Sequence, residues 1–290
     1  MEKSKVYFTS EVSNDSLVKM YEALGVNLPG KVAVKLHSGE QGNKNYLRPE
    51  FVKNLVERVN GTVVECNTAY PGARNTTEKH RKLMDEHEWT KYFNVDIMDA
   101  EGPDMELDIP NGLQIKKNYV GKNLANYDSM LVLSHFKGHA MGGFGGALKQ
   151  LSIGCASSYG KAYIHGAGDP NQDMFKTDQL QFVTSMGDAA SSVHKYFNGN
   201  IVYINVMVNI SIDCDCDGNA SAPCMKNIGI LASTDSVAID QACLDLVYSS
   251  TDPGKDKLIV RIEERLGANI IDVALKNGAG NKEYELINID

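Results

Sequence analysis

The densest run of reactive side chains in the sequence is Ser134-His135-Phe136-Lys137-Gly138-His139, which continues through Gly142, Gly143, Gly145 and Gly146 to Lys149. Two histidines, two lysines and five glycines fall within 16 residues. Glycine lets backbone approach a ligand closely, and the free N–H groups that open a helix attract anions. Gly142, Gly143, Gly145, Gly146 and Lys149 therefore read as a cradle for an anionic group. His135 and His139 read as metal ligands, and Lys137 as a general acid or base. Neither the Gly-Lys-Ser/Thr phosphate loop nor the dinucleotide Gly-x-Gly-x-x-Gly spacing is present. The plainer alternative is a tight strand-to-helix turn with surface histidines.

A second candidate is Asp213-Cys214-Asp215-Cys216-Asp217-Gly218, with Cys224 beyond it. Cys214, Cys216 and Cys224 could give three thiolates to zinc, iron or nickel. The aspartates imitate a calcium loop, but Cys224 stands where that loop needs a glutamate, so calcium is discounted. The competing reading is a polar loop with reduced thiols. Lys35 and His37 follow another apolar run and are candidate catalytic groups. Arg74 and Thr76 lie in a hydroxyl-rich loop suited to a carboxylate or phosphate. Each is weak alone. Together they follow apparent strands, whose ends share one edge in a parallel sheet.

The positioning elements are legible as alternating short β-branched runs and longer helical patterns. Strands are expected at Val6–Thr9, Lys31–Leu36, Thr62–Cys66, Asp128–Leu133, Ile201–Val208 and Ile228–Ala232. Helices are expected over Asp15–Ala23, from Pro49 to Asn60, over Thr76–His87, from about Gly146, over 178–197 and over Asp235–Tyr248, the last capped by Ser233 or Thr234. The implied fold is α/β, a largely parallel or mixed sheet flanked by helices, with strand order open. It reads as one domain over residues 1–290, with an irregular subdomain at about 90–125.

The 290 residues are 42% hydrophobic and 23% charged, a globular composition. The formal net charge is −8 and no basic stripe appears, so a nucleic-acid partner is not expected. No apolar run is long enough for a signal peptide or a membrane span, so the expected location is the cytoplasm. There, six cysteines read as thiols or ligands, not disulfides. Cys66, Cys155 and Cys243 sit in apolar patterns and read as core residues.

The stretches 32–52, 67–83, 132–157, 209–223, 228–247 and 280–287 resemble the domain of unknown function 362 family, whose members are often described as uncharacterised Fe–S centre proteins. Many relatives carry a ferredoxin module after the segment matching Gly160–His165. Residues 166–178 contain no cysteine, so a ferredoxin-type 4Fe-4S cluster is not expected in this chain. A separate ferredoxin is the partner this resemblance implies. The His/Gly segment also resembles the glycine-rich loop of the lactate racemase family, which holds a nickel–pincer nucleotide.

Three functions compete. The first is a metal- or anionic-cofactor-dependent enzyme acting on a small anionic molecule by redox or proton-transfer chemistry. The second is a non-catalytic metal carrier working with a ferredoxin. The third is a loop stapled by structural zinc.

Overall fold

The computed structural model describes residues 3–102 and 104–290. Its first half alternates strands and helices: β1 (Ser4–Thr9), α1 (Asn14–Ala23), β2 (Val32–Lys35), α2 (Pro49–Arg58), β3 (Gly61–Glu65), α3 (Thr77–Glu86), the single turn α4 (Trp89–Tyr92) and β4 (Val95–Ile97). A ribbon of β5 (Met105–Asp108) and β6 (Lys117–Val120) follows, then the central strand β7 (Ser129–His135). The His/Gly segment folds as a second small ribbon, β8 (Lys137–His139) and β9 (Gly143–Gly145), and enters the short helix α5 (Ala147–Lys149). A wider π-helical turn, Gln150–Gly154, leads to α6 (Ser158–His165) and the long α7 (Gln179–Tyr196). The chain ends with β10 (Ile201–Met207), β11 (Gly229–Ser233), α8 (Ser236–Ser249), α9 (Lys255–Glu264), α10 (Asn269–Lys276) and β12 (Tyr284–Asn288).

The main sheet has the order β12-β1-β11-β10-β7-β2-β3-β4. β10, β7, β2, β3 and β4 pair in parallel, and β11 alone runs against its neighbours β10 and β1. Every residue of β7 and β10 is buried. Their continuous apolar runs follow from helices covering both faces. Alternation sends Met130, Val132, Ile201 and Tyr203 into one core, and Leu131, Leu133, Val202 and Ile204 into the other. The expected fold class is what the chain adopts.

Several boundaries differ from expectation for identifiable reasons. The cap of α8 is Asp235, not Ser233 or Thr234: its carboxylate accepts from the amides of Val237 and Ala238, both at 2.9 Å. The sequence reading passed over α9, α10 and β12. β12 is half-exposed and becomes a strand by pairing with β1 at the sheet edge.

The irregular stretch at about 90–125 divides. β4 joins the main sheet, whereas the β5–β6 ribbon packs against α6 and α7. A buried carboxylate on α7 pins the turn of that ribbon. Asp188 accepts from the amides of Leu113, Gln114 and Ile115 at 2.8, 2.6 and 2.9 Å, and from Asn277 Nδ2 at 2.7 Å. Asp188→Ala strips all four donors of their acceptor and should cost about 2–4 kcal/mol in urea unfolding. Hydrogen exchange should quicken first at amides 113–115. Unchanged exchange there would mean that apolar contacts alone hold the ribbon.

Candidate functional site

β2, β3, β7 and β10 carry the candidate segments at their carboxyl ends, and parallel pairing brings those ends to one edge of the sheet. A cavity of about 560 Å³ opens there. Lys35 and His37 reach it from β2, Glu65 and Arg74 from β3, His139 and Lys149 from the β7 side, and Cys214 and Cys216 from the loop after β10. The π-helical turn adds Gln150, Ile153 and Gly154. Such wide turns recur at functional sites because they displace side chains from helical register.

A sulfur centre forms on one wall. The ligand atoms of His139, Cys214 and Cys216 lie within 4.8 Å of one another. Burial favours the neutral thiol at Cys214, but the Cys216 S–H and the charges of Lys149 and Lys137 outweigh it. Cys214 is thereby held well below the usual thiol value. Cys216 is pushed well above it, because it donates to Cys214 and is itself desolvated. Lys149 Nζ lies 3.7 Å from Cys214 Sγ, and His139 Nε2 lies 3.8 Å from Cys216 Sγ. His139 Nδ1 accepts from the amides of Gly142 at 2.8 Å and Met141 at 3.2 Å, which fixes the ring.

Asp215, between the two cysteines, points the other way. Its carboxylate takes His135 Nδ1 at 2.9 Å and Lys137 Nζ at 2.7 Å. Burial would raise its pKa, but His135 and Lys137 hold it below the ordinary carboxylate range. The same carboxylate keeps Lys137 charged against desolvation. His135 Nε2 meets the Val208 carbonyl at 2.6 Å. Both ring nitrogens of His135 thus face accepting oxygens, and neither offers a lone pair to a metal. His135, expected as a ligand, and Lys137, expected as an acid or base, both grip the cysteine loop through Asp215.

An ionic floor lies beneath. Lys35 Nζ binds Glu65 Oε2 at 2.7 Å and Gln150 Oε1 at 3.2 Å. Gly154 lets Lys35 pass, since a Cβ there would stand 3.0 Å from Lys35 Cε and 2.5 Å from Gln150 Oε1. Glu65 also accepts from the Ser38 amide at 2.8 Å. Arg74 pairs with Glu40 at 3.1 Å and donates to the Tyr70 hydroxyl at 3.2 Å. His37 accepts from the Gly39 amide at 3.1 Å, and burial lowers its pKa well below the usual value.

Other expected members lie apart. Gly142, Gly143, Gly145 and Gly146 do not line the cavity. The helix N–H groups beyond Gly146 are already taken: Asp240 accepts from the amides of Ala147 at 2.8 Å and Leu148 at 2.9 Å. A Cβ on Gly146 would meet Asp240 Oδ1 at 2.4 Å, so that glycine makes room for an internal carboxylate, not an external anion. Thr76 caps α3 through the Lys79 amide. Cys224 bonds the Ile210 carbonyl at 3.4 Å, outside the donor group. Sequence reasoning missed Glu65, Gln150, Lys161 and His165, all on the cavity wall.

The model of the domain of unknown function 362 (DUF362) matches residues 32–245. The chain belongs to this family. No curated protein sequence matches this DUF362 chain. Among solved structures, it is similar to the lactate racemase apoprotein from Thermoanaerobacterium thermosaccharolyticum, at 13% identity and a TM-score of 0.49, covering 84% of this chain and 57% of that one. A protein from Thermotoga maritima matches at 13% identity and a TM-score of 0.43, covering 67% of this chain and 49% of that one. The DUF362 chain thus spans about half the length of the structures it matches. Among the described residues no helix is long and apolar enough to cross a membrane.

The low Cys214 value has a direct readout. Thiolate absorbance in the ultraviolet should titrate well below pH 9, vanish in Cys214→Ser and move to higher pH in Lys149→Met, which removes a stabilising cation. A Lys149→Met curve that overlays the parent would assign the stabilisation to other groups.

Proposed function

We propose that this protein is a metal-dependent enzyme that acts on a small anionic molecule by proton-transfer or redox chemistry. The observation that carries this reading is the convergence of His139, Cys214 and Cys216 on the wall of a cavity that Lys149 and Lys161 also line. Three protein ligands from sulfur and nitrogen, with cavity space left beside them, match the donor set of an open zinc-type site. Cys214 suits such a role because its surroundings already favour the thiolate. Cys216 and the Nε2–H of His139, whose Nδ1 accepts two amides, would each lose a proton on binding, so uptake would release protons. A bound metal would supply a Lewis acid beside the anion. Lys149 would hold the anion's charge, and Lys35 and Arg74, tied to Glu65 and Glu40, would act as fixed charges under it. Nickel and iron remain donors' choices alongside zinc, and a partner ferredoxin belongs only to the redox version.

A second reading rests on His139. Its Nδ1 accepts two amides, so the proton of the neutral ring sits on Nε2, directed at the sulfurs. The group then resembles an activated thiolate with an imidazole donor, and Cys214 would serve as a nucleophile. A zinc staple needs a further ligand near the cysteines, and the separation of Cys224 weighs against it.

Titration of reduced protein with zinc and cobalt(II) tests the first reading. One equivalent should bind, with sulfur-to-cobalt charge-transfer absorbance. Cys214→Ser and Cys216→Ser should abolish it, His139→Ala should weaken it at least about tenfold, a loss of about one ligand bond's differential energy, and Cys224→Ser should leave it intact. Absence of uptake, combined with rapid alkylation of Cys214 at neutral pH, would replace the metal with the thiolate mechanism.

A further inference from the structure

The far wall of the cavity is built by α6, and two of its side chains have no part in the sulfur centre or the ionic floor. Lys161 and His165 stand four residues apart, on one helix face. They are 7% and 8% exposed, and both line the cavity. Lys161 Nζ donates to the Ala156 carbonyl at 2.6 Å and has no other partner among the described residues. An ammonium has three donors, so two remain for a ligand. His165 Nδ1 meets the Lys161 carbonyl at 2.7 Å. A carbonyl only accepts, so Nδ1 carries the proton and the neutral ring keeps its lone pair on Nε2, which has no partner among the described residues. Phe182 stacks on the ring at 4.8 Å and fixes its plane.

We propose that Lys161 and His165 form the subsite for a small hydroxy-carboxylate, Lys161 binding the carboxylate and His165 Nε2 accepting from the neighbouring hydroxyl. This names the substrate class of the anionic-ligand reading and rests on it. Burial lowers the His165 pKa to about 4, which keeps the ring neutral and accepting at pH 7. The pairing of one cation with one acceptor sorts ligands by chemistry. A phosphate dianion presents acceptors all round, so its oxygens would oppose the Nε2 lone pair. An amino acid would offer a donor, but its ammonium would lie beside the charge of Lys161, the other residue of the subsite. A hydroxyl supplies the donor without the charge.

Calorimetry with glycolate, acetate, glycine and phosphate on the EDTA-treated, reduced full chain tests this assignment. Glycolate should bind about fivefold to tenfold tighter than acetate, the worth of one added hydrogen bond. Glycine and phosphate should bind more weakly than glycolate. Lys161→Met should weaken glycolate and acetate alike. His165→Phe should erase the advantage of glycolate and spare acetate, and His165→Gln, which retains an accepting oxygen, should restore part of it. Thermal midpoints close to the parent's certify each variant as folded, and the glutamine variant serves if the phenylalanine one does not fold. Equal affinities for glycolate and acetate in the parent, or an intact advantage in His165→Phe, would overturn the assignment. Cys214→Ser should keep glycolate binding while losing metal, so failure of the subsite and failure of the metal reading are told apart.

Discussion

The site depends on one buried carboxylate. Asp215 is 1% exposed, and a charge so desolvated is tolerated only when paired. Its partners, His135 and Lys137, belong to β7 and β8, while its own backbone carbonyl accepts from the Glu40 amide at 2.8 Å in the loop after β2. One residue therefore ties three chain segments together. Because it lies between Cys214 and Cys216, satisfying it turns the neighbouring sulfurs toward the cavity. The aspartate serves the thiols without touching any ligand they could hold.

The sheet follows a simpler constraint. Strands buried on both faces favour continuous apolar runs, and β7 and β10 carry them at residues 130–133 and 201–204. This is why the central strands, the α/β class and the shared edge for Lys35, Arg74, His139 and Cys214 were legible in sequence. The Cys-x-Cys spacing was legible too, since alternate residues of a short turn can face one side. The function of the glycines was not. A cradle for an outside anion and a pocket for Asp240 look alike locally, and Asp240 lies 93 residues beyond Ala147 in the chain. The surroundings of His135 were hidden for the same reason: Asp215 and Val208, which meet its ring nitrogens, are brought to it by the parallel pairing of β7 and β10. Lys161 and His165 carried a local signal, their spacing of four, that a search for loops overlooks.

The cavity is consequently two-sided. One wall is soft and thiolate-bearing, the other offers a hard cation and a nitrogen lone pair, and the Lys35–Glu65–Arg74 floor keeps them at a fixed separation. The ion pairs of the floor are nearly inaccessible to solvent and so are little screened. They spend their charge on one another and leave Lys149 and Lys161 as the cations with donors to spare.

The β1–β12 edge carries a mechanical meaning. The two strands run in parallel, from Ser4 against Tyr284 to Phe8 against Asn288. Tension applied between the start of β1 and the end of β12 would act along opposite ends of the same ladder. Its slanted hydrogen bonds would share the load in shear, so they must fail together and not one after another. The fold thus places its clamp at the margin of the sheet, with β11 and β10 between the pulled strands and the strand β7 that leads into the cavity wall.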